Sequence, residues 1–313
     1  MPASRRALVT GVAGMTLGVL AGCGTGRSAA GTGGPGAPGP SRPAAGADGP
    51  GLNDRPIPLD RPIPLEAGLA ATPAGVGRAE IVARYGGLRP RAWALDLPGT
   101  ITRLPGAGRT LALTLDACGG PGGSGYDQGL ITTLRRYGVP ATLFLNSRWI
   151  AANRPAFADL AGDPLFEIGN HGTLHRPLSV SGRSAYGIPG TRDAGQVYDE
   201  VAGNHATLTG LLGRPPRLFR PGTAYSDDIA ARIVGDLGET IVSFTVNGDG
   251  GATYSTAQVR ASLLAAPPGS IVIGHMNHPG RGTGPGAAAA LPRLLGAGFR
   301  FVHLPAELES LRA

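Results

Sequence analysis

From about Gly75 onward, short apolar runs alternate with longer stretches whose apolar residues recur at helical spacing. Thr110-Leu-Ala-Leu-Thr-Leu-Asp116 is apolar almost throughout and predicts a buried strand, and Ala141-Thr-Leu-Phe-Leu-Asn146 predicts the next one. The segment between them, Gln128 to Tyr137, has the helical period. The alternation continues with a strand-like Phe166-Glu-Ile-Gly169, a helix from Ala194 to Leu212, a strand from Arg217 to Arg220 and a helix from Asp227 to Leu237. Strands at Ile241 to Val246 and Ser270 to His275 follow, then a helix from Ala287 to Leu295 and a strand from Phe299 to Leu304. Repeated strand–helix units of this kind imply a parallel sheet, open or closed into a barrel.

The part of the chain before this pattern has little to bury. Ser4-Arg5-Arg6-Ala7-Leu8-Val9 has the form of a twin-arginine export motif, and the apolar stretch from Ala7 to Ala21 is too short and too weakly apolar to span a membrane. Leu20-Ala21-Gly22-Cys23 resembles the lipobox of bacterial lipoproteins, so Cys23 is expected to carry the lipid that anchors an exported protein to the outer face of the cell membrane. Residues 24–74, rich in Gly, Ala and Pro and containing the repeat Asp54-Arg-Pro-Ile-Pro-Leu59/Asp60-Arg-Pro-Ile-Pro-Leu65, are expected to form a disordered tether. Residues 1–23 are thus a signal peptide and 75–313 the folded domain. With Cys23 acylated only Cys118 remains, and no intramolecular disulfide is expected.

Composition narrows the partners. All 28 basic residues are Arg, and the net charge of +7 suits an anionic cell-wall polymer, although a scattered Arg surface accounts for it equally well. No basic cluster or aromatic platform points to nucleic acid. Asp116, Asn170-His171, Arg220, Asn247/Asp249 and His275 all fall at or just beyond the C-terminal ends of predicted strands, which converge on one face in a parallel barrel. His171-Gly-Thr-Leu-His175 sets two imidazoles four residues apart, so that on a helical turn both could reach one metal ion. Asp116 ends a buried strand, where a carboxylate needs a cation, a metal or a hydrogen-bond network as partner.

In order and content these motifs resemble the polysaccharide deacetylase family, carbohydrate esterase family 4, over roughly Arg109 to Leu304. Thr114-Leu-Asp-Ala-Cys-Gly-Gly120 is similar to the family's Thr-Phe-Asp-Asp-Gly, and Glu167-Ile-Gly-Asn-His-Gly-Thr-Leu-His175 to its second motif with the metal-binding His pair. Phe219-Arg-Pro-Gly-Thr-Ala-Tyr225 looks like a variant of Arg-Pro-Pro-Tyr-Gly, Phe244 to Asp249 sits where a further Asp is expected, and Ile273-Gly-His275 resembles the final Leu-x-His. The resemblance implies a distorted (β/α) barrel of about seven parallel strands, working as a monomer on an acetylated polysaccharide. It implies a metal-dependent hydrolase that removes N-acetyl groups from peptidoglycan or a chitin-like polymer. An O-acetyl esterase or small-amide hydrolase with the same site, and an inactive glycan-binding lipoprotein, are the alternatives.

Carried over residue by residue, the resemblance makes Asp116 the general base oriented by Arg220, and His275 the general acid supported by Asp249. A divalent metal, zinc or cobalt, would be held by His171 and His175. Tyr225, Thr223 and Asn247 would face the substrate, with a backbone N–H near Thr223 to Tyr225 helping at the oxyanion; His278 is a second candidate acid. One departure matters: Ala117 stands where the family has the Asp that is the third metal ligand. Asp116, Asp127 or Cys118 could replace it, and an oxygen from Asp127 or Asp116 is preferred.

Overall fold

The computed structural model describes residues 75–106 and 108–304, so the expected signal peptide, Cys23 and the tether at 24–74 lie outside the described residues. The described elements are, in order, α1 (Arg78–Tyr85), β1 (Trp93–Ala94), β2 (Thr110–Ala117), α2 (Gln128–Tyr137), β3 (Ala141–Leu145), α3 (Ser147–Ala152), α4 (Arg154–Ala161) and β4 (Phe166–Asn170). Then come α5 (Ala194–Leu212), β5 (Leu218–Phe219), β6 (Ser226–Asp227), α6 (Asp228–Asp236), β7 (Thr240–Ile241), β8 (Val246–Asn247), α7 (Thr256–Leu264), β9 (Ile271–His275), α8 (Thr283–Gly296) and β10 (Arg300–Phe301).

Seven parallel strands in the order β7-β5-β4-β3-β2-β9-β8 form a curled half-barrel, and β10 pairs in parallel with the first residues of β2. Chain length enforces the curl. β7 and β8 occupy opposite ends of this order, yet only residues 242–245 separate them. Across a flat sheet the two ends would stand about 29 Å apart, whereas the linking segment spans at most about 17 Å when fully extended. The predicted single strand at Ile241 to Val246 is therefore two short strands on opposite edges, with residues 242–245 joining them.

The period of two along β2 sorts side chains between two environments. Leu111, Leu113, Leu115 and Ala117 join the apolar layer beneath α2, α7 and α8, while Ala112 belongs to the inner cluster with Phe144, Leu218, Val242 and Ile271. Thr114 and Asp116, of the same parity as Ala112, therefore face the interior of the curl. A one-residue slip would turn three buried leucines inward, at about 1.5–3 kcal/mol each, and drive Asp116 into the apolar layer. The hydrophobic pattern thus fixes the register that aims Asp116.

Elements α2 and α5 have the predicted bounds, whereas α8 begins at Thr283, a turn earlier than expected. Helices α1, α3, α4 and α7 are additional to the sequence-based elements. Helices α1, α5 and α6 enclose a second apolar cluster that includes Ile81, Val197, Val201 and Ile233. No described helix is long and apolar enough to cross a membrane.

Candidate active site

The mouth of the half-barrel is built around a buried ion pair. Arg220 follows β5 directly and is fully buried; its Nη1 donates to Asp116 Oδ1 at 2.7 Å and to Thr114 Oγ1 at 2.9 Å. Its Nε and Nη2 donate to the carbonyls of Val242 and Ser243, both at 3.1 Å, and the guanidinium lies 4.3 Å from the Phe144 ring centroid. Arg220 is thus locked on every side. Burial lowers its pKa, with the charge of Asp116 opposing the shift. Asp116 Oδ2 is left facing His171 Nε2 at 3.6 Å.

His171 and His175 do approach one another, with ring centroids 4.9 Å apart, but not on a helical turn. The segment after β4 is a loop bent by positive φ at Gly172 (74°) and His175 (61°), and side chains from neighbouring elements hold its backbone. Asn146 Nδ2 donates to the carbonyls of His171 (3.0 Å) and Gly172 (2.8 Å), and Asn170 Oδ1 accepts the Gly172 N–H at 2.9 Å. The carboxylate of Glu200 on α5 accepts the N–H groups of Leu174 (3.0 Å) and Arg176 (3.1 Å). His171 Nδ1 lies 2.8 Å from the Arg220 carbonyl, which can only accept, so Nδ1 carries the proton and Nε2 presents its lone pair to the site.

Of the two preferred third ligands, Asp116 has Oδ1 on Arg220 and Asp127 is elsewhere employed. It is the N-cap of α2, with Oδ1 accepting the Leu130 N–H at 2.9 Å, and it is not among the described donors that converge on the imidazoles. Cys118 is: its sulfur and a ring nitrogen from each of His171 and His175 lie within 4.8 Å of one another, with Sγ 3.9 Å from His171 Nε2. Burial alone would raise the thiol's pKa. The charge of His175 and hydrogen bonds with His171, His175 and His275 outweigh it and hold the thiol well below its usual range. For His171, burial works against the proton, but the charge of Asp116 and the neighbouring Cys118 leave its pKa raised.

These donors suit a divalent metal. Zinc–ligand lengths of about 2.0 Å to nitrogen and 2.3 Å to sulfur put tetrahedral sulfur and nitrogen ligands roughly 3.5 Å apart, close to the separation seen. The Nδ1–H to carbonyl bond of His171 is the kind of support that orients an imidazole ligand.

His275, at the end of β9, and Asp249 form the remaining pair, with Nδ1 to Oδ1 at 2.9 Å. Asp249 Oδ2 also accepts the His275 N–H (2.7 Å) and the Thr283 hydroxyl (2.8 Å). Burial disfavours the imidazolium, but the Asp249 charge and hydrogen bond outweigh it and raise the His275 pKa well above normal. Burial pushes the Asp249 carboxyl up, and the charge of His275 more than reverses this. His278 moves the other way, because burial lowers its pKa.

The expected substrate-facing residues differ in placement. Tyr225 stacks on Trp93 (centroids 5.6 Å apart, rings inclined by 19°) and meets Tyr186 edge-on at 5.8 Å, on the rim where β1 pairs with β6. Thr223 adopts φ 68° in a 3₁₀ turn, and its buried hydroxyl has no hydrogen-bond partner among the described residues. Asn247 is exposed and accepts the Gly250 N–H at 2.7 Å, so its amide oxygen shapes a turn. Glu200 and Trp93 did not emerge from the sequence. A Glu on an amphipathic helix has no local signature, and Trp93 reaches Tyr225 only through the β1–β6 pairing.

Comparison with known proteins agrees with this architecture. Residues 104–242 match the family described as polysaccharide deacetylase, and the sequence has no significant match among curated proteins. Among solved structures, a carbohydrate esterase family 4 pseudoenzyme from Bacillus anthracis is 20% identical with a TM-score of 0.55, covering 68% of this chain and 70% of its own. The peptidoglycan N-acetylglucosamine deacetylase Bc1960 is 22% identical with a TM-score of 0.56, covering 67% and 92%. A family 4 acetyl xylan esterase from Clostridium thermocellum, in complex with a cobalt ion, is 19% identical with a TM-score of 0.51, covering 64% and 90%. At these identities the likeness to the solved structures is one of fold. The matched segment holds β2 to β7 together with Asp116, His171, His175 and Arg220, and over these residues the chain carries a polysaccharide deacetylase domain.

Proposed function

We propose that this protein is a metal-dependent hydrolase that removes N-acetyl groups from a cell-wall-type polysaccharide, either peptidoglycan or a chitin-like polymer. The observation that carries this reading is the convergence of three units on one mouth: the Asp116–Arg220 pair, the imidazoles of His171 and His175, and the His275–Asp249 pair. His171 and His175 would hold a divalent ion, zinc or cobalt, which when bound supplies Lewis-acid polarisation of a water molecule and of the acyl oxygen.

The remaining chemistry belongs to the chain. Asp116 Oδ1 is engaged by Arg220, so Oδ2 is the atom free to take the proton of the attacking water. Because Arg220 is itself fixed by two carbonyls, a threonine hydroxyl and the Phe144 ring, it holds the base in place without reorganising. His275 is held cationic by Asp249 and donates its proton to the amide nitrogen as the carbon–nitrogen bond breaks, leaving acetate and a free amine. Tyr225, with Trp93 and Tyr186 beside it, offers an apolar face to a sugar ring at the rim.

An O-acetyl ester would use the same base and acid, and the acetyl xylan esterase among the structural neighbours favours keeping that reading. Ala117, together with the pseudoenzyme neighbour, favours keeping a third, a scaffold that binds glycan without hydrolysing it. The arginine pair, apolar stretch and Cys23 at the N-terminus support an exported, lipid-anchored location beside an envelope polymer. The test is acetate release from N-acetylglucosamine oligomers, peptidoglycan and acetylated xylan, with and without chelator. Chelator-sensitive release from the first two is expected, release from xylan alone supports the ester reading, and no release from any of the three overturns the proposal.

A further inference from the structure

We infer that Cys118 supplies a thiolate as the third protein ligand of the metal, making this a Cys–His–His centre in which sulfur takes the place of the carboxylate missing at position 117. The inference rests on the reading above, that the imidazole pair holds a divalent ion. Three observations carry it. The Cys118 sulfur and one ring nitrogen from each imidazole lie within 4.8 Å of one another, and the Sγ to His171 Nε2 distance of 3.9 Å needs only a small contraction to close on an ion.

The competing carboxylates are placed differently: Asp127 caps α2, and Asp116, with Oδ1 on Arg220 and Oδ2 assigned to the base, is not among the described donors that converge with both imidazoles. Ala117 lies in the apolar layer beneath the helices, opposite in parity to Asp116, so the backbone turns the next residue, Cys118, back toward the mouth. The immediate surroundings also hold Cys118 in place. A Cβ on Gly119 would collide with the Trp149 amide nitrogen, so α3 packs against the chain just beyond the cysteine. Arg148 Nη2 donates to the Leu174 carbonyl at 3.0 Å and reaches the Cys118 carbonyl at 3.4 Å, joining the cysteine's backbone to the histidine loop.

Sulfur in the ligand set changes which ions the site accepts. A thiolate with two imidazoles selects zinc or cobalt(II) and disfavours manganese and magnesium, for which oxygen ligands are the better match. Cys118→Asp is then a substitution that exchanges metal preference instead of merely destroying the site.

The experiment is cobalt(II) titration of the full metal-free chain, in a Cys23→Ser background so that Cys118 is its sole thiol. It is followed by the near-ultraviolet thiolate-to-cobalt charge-transfer band, with stoichiometry from elemental analysis. One equivalent bound with the band present is expected. Cys118→Ser should lose the band and bind zinc at least about tenfold more weakly. Cys118→Asp should lose the band, keep one equivalent, and gain manganese affinity relative to zinc.

One equivalent of cobalt with no charge-transfer band, and zinc affinity unchanged in Cys118→Ser, overturns the ligand assignment while leaving the metal-dependent reading standing. Failure to bind any stoichiometric divalent ion overturns both. A thioacetyl adduct on Cys118, with acetate release undiminished in metal-free protein, would show the thiol to be a nucleophile and also overturns the assignment. The spectrum of the parent protein is decisive by itself, so a variant that failed to fold would not rescue the inference.

Discussion

Replacing Glu200 with alanine should disable the proposed metal site from a distance. Glu200 is only 4% exposed on α5, and its carboxylate is the acceptor for the backbone N–H groups of Leu174 and Arg176, on either side of His175. Its own carbonyl accepts the Thr173 N–H at 3.0 Å, so the helix holds the loop at three residues, Thr173, Leu174 and Arg176. Truncation removes the acceptor from two part-buried donors, at up to about 1–3 kcal/mol each. Water entering the vacated space recovers part of this, leaving a net loss of about 3 kcal/mol. For a domain of this size that corresponds to a fall in Tm of about 6–12 °C.

The functional loss should be separate from the structural one. His175 gains freedom, and zinc affinity should fall by about 10–100-fold, as for other residues that support a metal ligand. Glu200→Gln retains an oxygen in the position of Oε1, which serves both N–H groups, and should lose less than half as much in each measurement. The assays are thermal unfolding without metal and competitive zinc titration against a chelating dye. An unchanged zinc affinity in Glu200→Ala, or a Gln variant as impaired as the Ala variant, would refute the argument that this carboxylate positions His175.

Other substitutions probe the remaining units. Arg220→Lys should lower kcat with little change in KM, and cost about 2 kcal/mol in urea unfolding, because an ammonium cannot satisfy Val242, Ser243, Thr114 and Asp116 together. Asp249→Asn removes the charge that raises the His275 pKa, leaving burial to lower it; the basic limb of the kcat–pH profile should move to lower pH, and an unmoved limb would exclude His275 as the acid. Glu239 is buried, and burial pushes its pKa up to about 7 against the pull of His205 and Asn170. The native state therefore holds a proton that the unfolded chain releases near pH 4.5, so this contribution, up to about 3 kcal/mol, is fully present below pH 4.5 and lost as pH rises through 7. Glu239→Gln should flatten the dependence of Tm on pH across that window.

Much of the fold was legible because burial writes itself into composition. The run at 110–116 has leucine at every second position and is buried throughout, and α2 and α5 end at Gly138 and Gly213 in the left-handed conformation that closes a helix. Strands β5, β7, β8 and β10 have two residues each, too few for any period, and the division of Ile241 to Val246 follows from closure of the curl, which no local pattern encodes. The site was legible as a set of residues but not as a set of contacts. Asp127 immediately precedes a predicted helix, so its capping role was available from sequence. Cys118 required the parity of β2 to show which of residues 116, 117 and 118 face the mouth. The histidine loop is held by Asn146, Asn170 and Glu200, each from a different element, which a four-residue spacing cannot convey.

In the proposed function Asp116 acts as a base beside an ion held by His171 and His175. The most direct measurement compares acetate release from N-acetylglucosamine oligomers by the zinc-loaded parent chain, its chelated form and zinc-loaded Asp116→Asn. Rapid release by the first alone, with zinc content equal in the parent and the variant, is the expected result. Undiminished release by zinc-loaded Asp116→Asn or by the chelated protein would contradict the account.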